Sequence, residues 1–149
     1  MRPSALRPDL PHVAVFDTDL LVFKSAGNDR NDGPDCPSGP DCDGPYDSIG
    51  YVGNAKNILT ICALTDTDGM TDFSSWGPTN DGRVKPVLCA NGYELFSTLP
   101  GNSYGSMSGT SMSSPSAAGT AALLFEHYRK TTGATPASAT LKALLINQY

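Results

Sequence analysis

The sequence predicts an α/β fold built on a parallel sheet, and three stretches carry that expectation. Leu20-Leu21-Val22-Phe23, continued by Lys24-Ser25-Ala26 and stopped by Gly27-Asn28, is a short apolar run ended by turn residues. It reads as a strand buried on both faces, as parallel sheets require. Asn57-Ile58-Leu59-Thr60-Ile61-Cys62-Ala63-Leu64 is a second buried-strand candidate. From Ser111 to about Lys130 the small residues Ser113, Ser114, Ala117, Ala118, Gly119, Ala121 and Ala122 alternate with space-filling Leu123, Leu124, Phe125 and Tyr128. That is a helix able to approach its neighbours closely.

The other elements follow in order. At 149 residues a single domain can build its own core without a metal or disulfide staple. Fifteen glycines and twelve prolines make it rich in loops. Residues 1–11, with Pro3, Pro8 and Pro11, read as an irregular lead-in. Residues 29–47 form a long loop carrying Asp29, Asp32, Asp35, Asp41, Asp43 and Asp47. Its oxygens could hold calcium, but no ligand spacing of a known calcium loop is present, so a solvated loop is the favoured reading. Asp66-Thr67-Asp68-Gly69 reads as a turn. Residues 93–100 and 103–108, split by Gly101-Asn102, form a hairpin-like pair. The helix after it has Pro115 in what is expected to be its first turn. Gly133 stops that helix, and Thr135-Pro136 opens a last one through Ile146.

Charge and cysteines narrow the function. The net charge is −5 and the basic residues form no stripe, so nucleic acid and anionic membrane are poor partners. No run is long enough to span a bilayer, and the N-terminal residues lack the apolar core of a signal peptide. Cys36 and Cys42 sit in a Pro, Gly and Asp loop that suits a local disulfide, although spacing does not establish pairing. Cys62 and Cys89 lie in apolar surroundings and are expected to be buried free thiols.

The chemistry gathers at Gly109-Thr110-Ser111-Met112-Ser113-Ser114-Pro115. A serine hydroxyl becomes a useful nucleophile when a base takes its proton and donors face the oxyanion it creates. Ser111, at the start of a helix, has its own N–H and the positive end of the helix dipole for that anion. Asn28, at the end of a parallel strand where such sheets place their chemistry, could be a second donor. Taken singly, a Ser in this setting is more often a helix cap and Ala-Gly-Asn a turn.

In their order along the chain, Ser25-Ala26-Gly27-Asn28, Phe73-Ser74-Ser75-Trp76-Gly77-Pro78, Lys85-Pro86 with Gly92, and Gly109 to Pro115 resemble the C-terminal half of the catalytic domain of subtilisin-like serine proteases, the subtilase family. The resemblance implies a three-layer α/β fold with a parallel central sheet, incomplete here, with residues 1–149 forming one partial catalytic domain. It implies serine-type endopeptidase chemistry through an acyl-enzyme on polypeptide substrates. By it, Ser111 matches the nucleophile, Asn28 the oxyanion asparagine, and Ser25, Ala26 and Gly27 the wall of the substrate pocket. No cofactor is implied for the chemistry, and a secreted or cell-surface location is expected.

The chain also departs from the family pattern. The triad order is Asp, His, Ser, yet no histidine lies between Asp17 and Ser111. His127 follows Ser111 by sixteen residues on one helix, roughly 24 Å along its axis, too far to be the base. His12 precedes the strand ending at Asn28 and so lies toward the opposite sheet edge. Asp17 stands in a Val-Ala-Val-x-Asp-Thr setting like the family's catalytic Asp, but only eleven residues before Asn28, and is read as outside the triad. Val87, Asn91 and Ser116 replace the family's usual Asp, Pro and His. The base and its orienting acid are therefore expected on a missing N-terminal half, and this chain alone is expected to be inactive. The alternative is a non-catalytic scaffold or interaction module.

Overall fold

A computed structural model of the chain describes residues 20–30 and 48–147. Strands β1 (Phe23–Ser25), β2 (Leu59–Leu64) and β3 (Leu88–Asn91) form one sheet in the order β1-β2-β3, every pair parallel. Strands β4 (Leu95–Leu99) and β5 (Ser103–Met107) form a separate antiparallel hairpin. Helices α1 (Thr110–Thr132) and α2 (Ser138–Ile146) follow, and a short 3-10 helix spans Tyr51–Asn54. His12, Asp17, Cys36, Cys42 and all but Asp29 and the start of the Asp-rich loop lie outside the described residues.

β2 is the strand that its sequence promised. It is apolar and β-branched, buried at five of six positions, and paired on both sides. Leu59 and Ile61 pack with Ala117, Ala121 and Leu145 of the two helices. Thr60, pointing the other way, gives its hydroxyl proton to the carbonyl of Gly53 in the 3-10 helix (2.5 Å). Helices thus cover one face of the sheet, and the 3-10 helix and loops cover the other. Ala117 and Ala121, four residues apart on α1, bring its axis close to the sheet, and Leu21, Phe23, Leu88, Ala90 and Leu124 close around them.

Four expectations change. β1 is three half-buried residues rather than a fully buried strand, because among the described residues it pairs on one side alone. β3 was not foreseen: Leu-Cys-Ala-Asn has little strand propensity, and its extended form comes from pairing with β2. Cys62 and Cys89 are not free thiols. They are register partners on β2 and β3 and are joined in a disulfide, their Cα atoms 4.4 Å apart. Parallel register set two apolar cysteines side by side, which no local pattern reveals. Finally, α1 begins at Thr110, so Pro115 is its sixth residue and falls in the second turn. The N–H that proline lacks would have bonded the Ser111 carbonyl.

The turn at residues 65–69 forms as read: Thr65 N–H donates to Gly69 O (2.8 Å) and Asp68 adopts φ 59°. Gly133 ends α1 in the left-handed conformation, its N–H on Arg129 O (3.0 Å), with Arg129 and Lys130 in the last turn complementing the dipole.

Candidate active site

β1 ends at Ser25, and the chain then bends through Gly27, whose φ of 117° suits glycine. A Cβ at Gly27 would stand 2.7 Å from Ser75 Oγ. Ser75 holds the bend from below: its N–H donates to Gly27 O (2.9 Å), and its hydroxyl accepts the Asp29 N–H (3.0 Å). Ser74 is equally buried, and its hydroxyl accepts the Ala63 N–H at the end of β2 (3.0 Å). The Phe73-Ser74-Ser75 segment therefore braces two strand ends at once. Asn28 projects from the braced bend and is exposed.

The start of α1 is set against this bend by Thr110. Its N–H and hydroxyl both donate to Asn28 Oδ1 (2.9 and 3.0 Å), and its hydroxyl accepts the Gly27 N–H (3.2 Å). Oδ1 is thus fully engaged, and Nδ2 of Asn28 is uncommitted among the described residues. A helix start leaves four N–H groups without intrahelical partners. Here Thr110 N–H goes to Asn28, while Met112 N–H (2.9 Å) and Ser113 N–H (3.3 Å) go to Gly109 O. Ser111 keeps an N–H with no partner among the described residues. An exposed hydroxyl, an amide with no partner among the described residues and the Asn28 carboxamide held by the neighbouring Thr110 meet at the positive end of a helix dipole, a setting that favours negative charge.

From the other side, Gly92 at the end of β3 seats the helix. Its carbonyl accepts the Gly109 N–H (2.8 Å). A Cβ at Gly92 would collide with Ser113 Oγ and lie 2.8 Å from Gly109 O. Only glycine permits that approach. Gly109, at φ 155°, places Met112 Sδ and Asn28 Nδ2 within 3.5 Å of where its own Cβ would be. Beside Ser111 a cavity of about 440 Å³ opens between the hairpin and α1, lined by Leu95, Phe96, Leu99, Met107, Met112 and Pro115.

The structure thus brings Ser111, Asn28 and Gly27 together. Ser25 and Ala26 lead into the bend; the Ser25 hydroxyl accepts from Lys24 Nζ (2.9 Å), and Ala26 is buried with its N–H on Ile61 O (2.9 Å). His127 lies on an exposed part of α1, five residues short of its C-terminal end, remote from Ser111. The three replaced motif positions find ordinary roles. Val87 packs against the core, Ser116 donates to Met112 O (3.0 Å), and Asn91 accepts the Tyr93 N–H (3.1 Å) while donating to Asp66. Sequence reasoning assigned no role to Thr110, Ser75 or Gly92. Thr110 had one signal, a β-branched residue of modest helix propensity at a helix start. Among the described residues, no group of three or more His, Cys, Asp or Glu gathers as metal ligands, and no helix is long and apolar enough to cross a membrane.

Known proteins resemble this chain in sequence and in fold. The Subtilase family model (Peptidase_S8) matches residues 7–149. Subtilisin-like protease 5 of Trichophyton tonsurans is 43% identical over 82 residues, covering 52% of this chain and 19% of that protein. C5a peptidase of Streptococcus pyogenes is 46% identical over 86 residues, covering 58% of this chain and 7% of that protein. Among solved structures, the prenylagaramide maturation protease PagA superposes with a TM-score of 0.63 at 22% identity, over 85% of this chain and 39% of that one. The patellamide maturation protease PatA does so with a TM-score of 0.62 at 24% identity, over 84% and 38%. The chain therefore spans well under half the length of these relatives. With a family model matching nearly its whole length and a parallel sheet leading into a serine-bearing helix, the chain belongs to the subtilase family.

Proposed function

We propose that the chain is the nucleophile-bearing part of a serine endopeptidase acting on polypeptides through an acyl-enzyme. Ser111 is the nucleophile, and its amide and Asn28 Nδ2 are the oxyanion donors. Ser25, Ala26 and Gly27 border the substrate side chain preceding the scissile bond. The base and its orienting acid come from sequence outside residues 1–149, on an N-terminal half that is the chain's partner, in a secreted or cell-surface enzyme. Residues 1–149 act as one partial catalytic domain. The chemistry needs a base, a hydroxyl and oxyanion donors rather than a cofactor; calcium on the Asp-rich loop would serve structure.

One observation carries this reading: Thr110, the residue before Ser111, spends both of its donors on Asn28 Oδ1, which leaves Asn28 Nδ2 uncommitted among the described residues. The test joins residues 1–149 to the Asp- and His-bearing half of a subtilisin-like protease and measures peptide cleavage. The fusion is expected to cleave, to lose activity in Ser111→Ala, and to lose about a hundred- to thousand-fold in kcat in Asn28→Ala, as for subtilisin's own oxyanion asparagine. Residues 1–149 alone are expected to be inactive. A folded but inert fusion would point to a non-catalytic scaffold. Cleavage by residues 1–149 alone, abolished in Ser111→Ala, would remove the need for an external base.

A further inference from the structure

The Cys62–Cys89 disulfide lies on the mechanical path to the turn that carries Ser111. Two register steps beyond the cysteines, Leu64 of β2 pairs with Asn91 of β3. The Gly92 N–H then donates to Leu64 O (2.9 Å), and Gly92 O accepts the Gly109 N–H (2.8 Å). Gly109 O in turn receives the amides of Met112 and Ser113. Gly92 is closely packed within this chain of contacts: a Cβ there would collide with Ser113 Oγ and lie 2.9 Å from Ala63 Cβ, so the end of β3 and the start of α1 are in direct contact.

β3 has four half-buried residues and β2 as its one strand partner among the described residues, with Leu88 and Ala90 packed on the core beneath the helices. The disulfide lies on the face of the sheet opposite the two helices, since Cys62 and Cys89 alternate with the core residues Ile61 and Leu88; Cys62 is buried and Cys89, on the outer strand among the described residues, is half-buried.

We propose that this disulfide is a redox-sensitive clamp on the nucleophile turn. In the oxidised chain it holds β3 in register, so that Gly92 seats Gly109 and the amides of residues 109–113 are ordered against Asn28. Reduction by a dithiol begins when its thiolate attacks Cys89 Sγ. The bond to Cys62 breaks, and Cys62 leaves as a thiolate that takes up a proton. The second thiol of the reductant then displaces Cys89 and closes its own disulfide. Two electrons pass to the protein, two thiols appear at Cys62 and Cys89, and the Gly92–Gly109 seat loosens.

Amide hydrogen exchange on the whole chain tests this, at low micromolar concentration and in a Cys36→Ser/Cys42→Ser background so that two cysteines remain. On adding dithiothreitol, protection at Gly92, Gly109, Thr110, Met112 and Ser113 is expected to fall at least about tenfold, while Ala26, Leu59 and the middle of α1 keep theirs. The Cys62→Ala/Cys89→Ala variant is expected to match the reduced chain. Unchanged protection at those five amides overturns the clamp. So does a uniform loss across the chain, which would make the bond a staple of the whole fold. Free thiols at Cys62 and Cys89 in the chain never exposed to reductant overturn it as well.

Discussion

Thr110 carries one amide and one hydroxyl, and both are spent on Asn28. It is 1% exposed, so no water replaces a lost partner. Thr110→Val keeps the shape, strands the Gly27 N–H and removes one donor from Asn28. It is expected to lower unfolding stability by about 1–3 kcal/mol, whereas Thr110→Ser should retain most of it; urea midpoints of the two variants decide, and equal midpoints would disprove the role of the hydroxyl. Lys85 is the other residue whose chemistry is set by burial. It is 6% exposed, and its Nζ donates to Ile58 O and Thr60 Oγ1, both at 3.0 Å. Burial first, then the charges of Lys142 and Arg83, push its pKa down from 10.5 to about 8. Between about pH 8 and 10.5 the unfolded chain holds the proton that the folded chain has released. Stability therefore rises with pH across that window, and below it the fold bears the cost of a buried ammonium. Denaturation midpoints of the parent relative to Lys85→Met are expected to climb from pH 8 to 10.5; a flat difference would show that the ammonium is not disfavoured.

Among the elements, the hairpin and the helix show how unevenly the fold is buried. Phe96 of β4 and Tyr104 of β5 stack with ring centroids 6.2 Å apart, yet they are 71% and 67% exposed. Exposed cross-strand pairs contribute little, so Phe96→Ala is expected to cost less than about 1 kcal/mol. A larger drop in thermal midpoint would mean that the aromatic face is covered in solution. The contrast with α1 is instructive. Its sheet-facing alanines were legible as small residues in a helical run, but which small residues faced inward was not. Ala117 and Ala121 are buried, while Ala122 and Leu123 point outward, Leu123 at 69% exposure. Periodicity locates a helix whose residues differ around its circumference; a helix apolar on most sides leaves its orientation to its neighbours.

At the scale of the molecule, the outer edges of β1 and β3 have no strand partner among the described residues. Leu123 and Phe96 add apolar surface on two different elements. Unpaired edges and uncovered apolar groups drive association, so residues 1–149 alone are expected to self-associate on concentration. Light scattering showing a monodisperse monomer with a sharp, reversible unfolding transition would contradict this. The sequence by itself determined the family, the parallel α/β class, the serine at a helix start and the asparagine at a strand end, because each is written in a short run of residues whose chemistry is local. It also showed that the one histidine after Ser111 cannot serve it, since spacing along a single helix fixes distance. The tertiary structure alone decided that Cys62 and Cys89 are bonded, that Gly92 seats the helix, and that Thr110 orients Asn28. Those are contacts between residues 17 to 82 positions apart, with the disulfide closing a separation of 27. Strand register and helix docking create them, and no segment encodes either one alone.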